Sequence, residues 1–173
     1  MNARFLAVLL AAAGTASAAI APPSGIAPTI AATAEEEAAF ALRAEGTHAF
    51  ECKPLASDPN RLAWAFSSQN VTLSDASGPV ARQVSENTWE AISDRSSVSG
   101  AIRSRQDAGA NLPWLMYRVQ STPDAGLFAG VTSVQRVNTL GGVAPADGCD
   151  ASNVGKEARV VVAADYYFYR RRG

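Results

Sequence analysis

Arg159-Val160-Val161-Val162-Ala163-Ala164-Asp165-Tyr166-Tyr167-Phe168-Tyr169 is the most legible stretch of the chain. Val160, Val162, Ala164, Tyr166 and Phe168 fall on one side of an extended backbone. Arg159, Asp165, Tyr167 and Tyr169 fall on the other. A period of two belongs to a strand, whose successive side chains point to opposite faces. The β-branched and aromatic residues of the run suit a pleated, half-buried surface. The stretch therefore predicts a strand with Val160, Val162, Ala164, Tyr166 and Phe168 turned to a core.

The same period recurs upstream. His48, Phe50 and Cys52 share one face, opposed by Thr47, Glu51 and Lys53. Trp64 and Phe66 follow, then Val71 and Leu73, before the turn-forming run Asp75-Ala76-Ser77-Gly78-Pro79. Further short strands are expected at 80–84, 88–92, 97–103 and 131–139, the last ended by Gly141-Gly142. Between them Trp114, Met116 and Arg118 oppose Leu115, Tyr117 and Val119. Nearer the start, Thr33-Ala34-Glu35-Glu36 has the spacing of a helix capping box, which predicts a short helical turn over 34–37 ahead of a strand at 38–43. Short alternating runs separated by Gly, Pro, Asp and Ser imply an all-β domain: a small antiparallel β-sandwich or β-barrel of about eight to ten strands.

Composition agrees with a folded domain. The chain has 173 residues, 47% hydrophobic and 18% charged, which is too apolar for a disordered segment and long enough for one core. The net charge is −1, and the one basic run, Arg170-Arg171-Arg172, reads as a solvated tail, so no nucleic-acid partner is expected. Arg4, the apolar run 5–13 and Ala16-Ser17-Ala18 form the three regions of a secretory signal peptide, with cleavage placed after Ala18. The apolar run is too short to cross a bilayer, and no longer one follows it, so no membrane span is expected. The organisation read here is a signal peptide at 1–18, a flexible lead-in at 19–37 and a single β domain at 38–173, exported to the periplasm or the medium. Cys52 and Cys149 are the only cysteines, and exported compartments are oxidising, so a single disulfide between them is expected. Closing a loop of about 100 residues is worth about 4–5 kcal/mol in the chain-entropy model.

Several segments together resemble a family of exported bacterial and fungal proteins, the domain of unknown function numbered thirty-four fifty-five. They are Gly46-Thr47-His48-Ala49-Phe50-Glu51-Cys52, Trp64-Ala65-Phe66, Leu73-Ser74-Asp75, Asn87-Thr88-Trp89-Glu90, Ser96-Ser97-Val98-Ser99-Gly100 and Leu112-Pro113-Trp114-Leu115. Val134-Gln135-Arg136-Val137-Asn138-Thr139-Leu140-Gly141-Gly142, running on to Pro145 and Gly148-Cys149, is the strongest, and Asp165-Tyr166-Tyr167-Phe168-Tyr169 closes the set. The resemblance spans about residues 38–169 and supports the β fold and the disulfide. It also shows departures. The family usually has a His a few residues before the position of Trp89, followed by Gly-Pro, where this chain has Gln83 and Glu86-Asn87. Asp94-Arg95-Ser96 stands where the family usually reads Asp-Gly-Ser.

Candidate chemistry is sparse. His48 is the only histidine; it could serve as a base or ligand, or be a side chain at the rim of the core. No Gly-x-Ser-x-Gly elbow is present, and a zinc site would need more ligands than one His and a bonded cysteine pair supply. Trp89, Glu90 and Asp94 form the best carboxylate cluster, and a carboxylate pair is what glycoside hydrolysis requires. Trp64, Trp89 and Trp114 could offer a sugar-stacking surface or fill the core. Gly141-Gly142 reads as a turn, and Asn70-Val71-Thr72 as a glycosylation sequon without consequence in a bacterial source. The binding candidates are accordingly Trp89, Glu90, Asp94 and Trp114, with no catalytic residue, metal or cofactor expected. The favoured reading is a non-catalytic exported domain that binds a saccharide or a protein partner, or contributes to the envelope or surface. The alternatives are a carboxylate-dependent hydrolase acting on saccharide and a small-barrel hydrolase inhibitor. The intact mass of the native protein, before and after reduction, should reveal one Cys52–Cys149 bridge; two titratable thiols in the native protein would exclude it.

Overall fold

A computed structural model describes residues 20, 21 and 23–173; the stretch 1–18 read as a signal peptide lies outside the described residues. Among the described residues a single 3-10 turn, Pro28–Ile30, precedes eight strands: β1 (Glu36–Leu55), β2 (Asp58–Asp75), β3 (Gly78–Ser85), β4 (Thr88–Ala91), β5 (Ser97–Gln106), β6 (Trp114–Ser121), β7 (Val131–Gly141) and β8 (Glu157–Arg171). Each strand pairs antiparallel with the next, and β1 pairs with β8, from Glu36↔Arg171 to Glu51↔Glu157. The all-β domain is therefore a closed barrel, not a sandwich.

β1 begins inside the stretch 19–37 that reads as a lead-in, and no helix forms over 34–37. Half of the capping box is nevertheless made: Thr33 N–H donates to Glu36 Oε2 at 3.2 Å. The other carboxylate oxygen accepts from the hydroxyls of Thr132 (2.6 Å) and Ser133 (2.9 Å) on β7, while Arg172 N–H donates to the Glu35 carbonyl. Tertiary pairing with β7 and β8 thus overrides a local helix signal.

Eight strands enclose a lumen just wide enough for side chains to fill. Trp89 occupies its middle, 0% exposed, with ring centroids of Tyr117, Tyr166 and Phe168 at 5.2, 5.5 and 6.0 Å. Small residues, Ala44, Ala81, Ala91 and Ala164, are buried in the same core and make room for these rings. Gly46 meets a sharper demand, because a Cβ there would lie 2.0 Å from the Asn70 carbonyl oxygen of β2. One end of the barrel is stoppered by Phe128 of the β6–β7 loop, which packs on Phe40 and Phe168.

The last strand behaves as its sequence predicts. Val162, Ala164, Tyr166 and Phe168 are buried in the lumen, and Val160 is half-buried nearer the opposite end. The outward face is not simply wet, however. Tyr169, with Met116 and Val137, forms a second apolar cluster capped by Ile30 from the N-terminal segment. Gln135, also on the outer side and fully buried, donates to the Ile30 carbonyl and accepts from the Tyr169 hydroxyl at 2.7 Å. Cys52 and Cys149 are bonded, with Cα atoms 5.3 Å apart, and tie β1 to the β7–β8 connection. Cys52 N–H also donates to the Lys156 carbonyl, and Gly155 N–H to the Cys52 carbonyl, so that connection is held by backbone as well.

Replacing Val162 by Asp should abolish folding, because a carboxylate would sit unpaired in the lumen at a cost of several kcal/mol. Far-UV circular dichroism with urea titration measures this; a variant that unfolds with the parent would show that this face does not point inward.

Candidate functional site

Opposite the Phe128 stopper the barrel is open. Along β1 the inward residues run from Phe40 at the stopper through Leu42 and Ala44 to His48 and Phe50 at the mouth. There a cavity of about 640 Å³ enters the lumen. Cross-strand register stacks its walls in rows. Phe50 faces Phe66 and His48 faces Gln69 across β1 and β2, and Arg136 of β7 lies between Leu115 of β6 and Tyr166 of β8. Gln83 of β3 and Tyr117 of β6 form the floor above Trp89. The rim comes from Glu86 and Asn87, Ile102 and Arg105, and the segments 112–113 and 142–144.

His48 is 8% exposed, and its Nδ1 lies 2.9 Å from the Gly142 carbonyl oxygen. A carbonyl only accepts, so Nδ1 carries the proton and donates. Burial pushes the imidazole below its ordinary pKa; the Gly142 bond opposes this, the nearby Arg136 charge adds to it, and Glu86 opposes it. The ring is therefore neutral at pH 7, with Nε2 unprotonated. Gly142 suits this contact: its φ is +79°, and a Cβ would strike Leu112 and Val162 at 2.6–2.7 Å.

Beside His48 runs a chain of neutral hydrogen bonds. Tyr166 Oη donates to Gln83 Oε1 at 3.1 Å, Gln83 Nε2 donates to the Glu86 carbonyl at 3.0 Å, and Gln69 Nε2 donates to the Gln83 carbonyl at 3.1 Å. Burial raises the pKa of both Tyr117 and Tyr166, so both phenols stay protonated. Among the described residues three buried side-chain atoms have no partner within the protein: Gln69 Oε1 and Trp89 Nε1 here, and Arg170 Nε at the other end of the barrel. Arg136 is 8% exposed and donates through Nε and Nη2 to the Pro113 carbonyl at 3.3 and 2.9 Å.

The residues singled out from the sequence are scattered. Trp89 lies in the lumen. Glu90, its neighbour on the strand, points the other way and pairs with Arg95 at 3.1 Å. Asp94 accepts from Ser96 N–H and Leu127 N–H, both at 2.8 Å, and these bonds hold its carboxyl below the usual range, with the Ser96 hydroxyl contributing most. It staples the β4–β5 turn to the β6–β7 loop. Trp114 packs against the outer cluster under Ile30, and Trp64 Nε1 donates to the Asp147 carbonyl at 2.8 Å. The three tryptophans share no surface, and Trp89, Glu90 and Asp94 share no cleft. His48 and Gln83 do converge, together with Arg136, Gln69 and Tyr117, which sequence reasoning passed over. Arg136 interrupts the apolar positions of β7, and this was its only signal. Two outer grooves of about 690 and 770 Å³ follow the N-terminal segment, where Glu36, Thr132 and Ser133 already satisfy one another.

A family model described as "Protein of unknown function (DUF3455)" matches residues 80–170, which is 91 of the 173 residues and runs from β3 into β8. No curated protein and no solved structure matches the chain. The matched span contains Gln83, Tyr117, Arg136 and Tyr166, while His48, Phe50, Phe66 and Gln69 precede it.

The depressed pKa of His48 makes stability depend on pH. The unfolded chain protonates this histidine near pH 6.5, whereas the folded chain resists until lower pH, so below pH 6.5 the unfolded state binds more protons and stability falls with pH. The thermal midpoint should drop between pH 7 and pH 5. His48→Asn, which keeps a donor for the Gly142 carbonyl but does not titrate, should flatten that slope; an equal slope in the variant would place the dependence elsewhere.

Proposed function

Taking as premise that the chain belongs to the family described as a protein of unknown function, DUF3455, we propose that it is an exported, non-catalytic β-barrel that binds a small molecule in its open mouth. The observation that carries the reading is the contrast between the two ends of one lumen. One is filled by Phe128, Phe40 and Phe168; the other is left as a cavity of about 640 Å³. That volume, with apolar walls and a few convergent polar groups, is typical of small-molecule sites, and eight-stranded barrels can hold one such ligand. Phe50 and Phe66 supply apolar wall, Tyr117 the apolar part of the floor, and His48, Gln69 and Gln83 the polar contacts. Trp89 supports the floor from below.

Export is supported by the signal-like residues 1–18 and by a disulfide, which persists in oxidising compartments. Among the described residues no helix is long and apolar enough to cross a membrane. The non-catalytic reading is supported by the use of the one histidine. Its Nδ1 is committed to a backbone carbonyl, and no carboxylate or hydroxyl among the described residues hydrogen-bonds to its ring. A base so placed has neither an orienting acid nor a nucleophile to activate.

The uncharged fluorophore N-phenyl-1-naphthylamine tests this. It should bind saturably at one site per barrel. Ile102→Trp, which enlarges the inward β5 residue opposite Tyr117 at the mouth, should block binding while leaving the circular dichroism unchanged. Absence of saturable binding, or binding undiminished in a folded Ile102→Trp variant, would overturn the proposal.

A further inference from the structure

We propose that the mouth is built for an organic carboxylate, with Arg136 as the group that binds its charged end; this rests on the small-molecule reading above. Arg136 occupies an inward position of β7, between Leu115 and Tyr166 in the ladder, and only 8% of it is exposed. An arginine stays charged at any physiological pH and carries five N–H donors. Two are spent on the Pro113 carbonyl, and its other polar neighbour is the Tyr166 hydroxyl. Both are neutral dipoles. Among the described residues no carboxylate lies within 4.0 Å of the guanidinium, although five other ion pairs form on the surface. A buried charge without a counter-charge is costly, and arginine's planar fork matches a carboxylate with two parallel bonds.

The remaining charged groups at the cavity do not neutralise it. Glu86 and Arg105 are both exposed at the rim, where water screens them, and His48 is held neutral. The interior of the cavity therefore has one net charge, and it is positive. The other features define the rest of the ligand. Phe50 and Phe66 meet edge to face at 5.8 Å and offer an apolar wall to a flat body. Gln69 Oε1, a buried acceptor without a donor, fits a hydroxyl or N–H on that body. The class indicated is a hydroxylated aromatic carboxylate.

The probes are 6-hydroxy-2-naphthoate and its primary amide, titrated calorimetrically and by displacement of N-phenyl-1-naphthylamine. The acid should bind on the order of 10- to 100-fold more tightly than the amide, the range expected for hydrogen bonds to a charged group. Arg136→Gln should reduce the acid to the amide's affinity and leave the amide nearly unchanged, while Arg136→Lys should restore part of the preference. Because the acid–amide comparison in the parent needs no variant, failure of a variant to fold leaves the test intact. Equal binding of acid and amide, or displacement of the neutral dye by neither, would overturn the carboxylate assignment while the binding reading stands. If the dye itself fails to bind, both fall.

Discussion

Pairing of β1 with β8 is the interaction on which the rest of the structure depends. Without it the eight strands would form an open meander with two bare edges and one wet face. With it, each inward position is enclosed on all sides, and the character of every lumen residue becomes consequential. Trp89 then has three aromatic partners instead of a surface, and Phe128 can act as a stopper because there is a closed end to stop. Closure also explains why a charge on the inner side of β7 is conspicuous: an arginine there cannot turn outward to water as it could on an open sheet.

The strands were legible because their period of two is a local property. Residues 159–169 alternate, and the lumen receives Val162, Ala164, Tyr166 and Phe168 as expected. Closure was not legible, since a sandwich and a barrel impose the same alternation on each strand and differ only in which edges meet. Two local signals were overruled from a distance. Thr33-Ala34-Glu35-Glu36 carries a helix cap, yet Thr132 and Ser133 draw Glu36 into the sheet. Tyr169 sits on a face that reads as outward, yet the turn at Pro28–Ile30 covers it together with Val137 and gives the wall a second dry side.

The site was less legible than the fold, for a related reason. Trp89 and Glu90 are adjacent in sequence, and adjacency on a strand means opposite faces. The cavity instead gathers residues far apart in sequence, such as His48, Gln83 and Arg136, which only the cross-strand register brings together. Gln83 could be noticed, because it stands near a position where the family usually has histidine. Its place in the cavity gives that departure a physical setting: an amide there bridges Tyr166 and the Glu86 carbonyl without titrating.

The topology also bears on the order of assembly. Seven of the eight pairings join consecutive strands through the intervening turn or loop, and can form hairpin by hairpin. The eighth must bring the two ends of the domain together, with Glu36 meeting Arg171, and carries the largest single chain-closure entropy of the fold. The bridge between Cys52 and Cys149 spans 97 residues of that same loop. Once oxidised, it leaves the outer strands only a short search before they meet. The oxidised chain has given up much of that freedom before the barrel closes, whereas a chain kept reduced must lose it on folding.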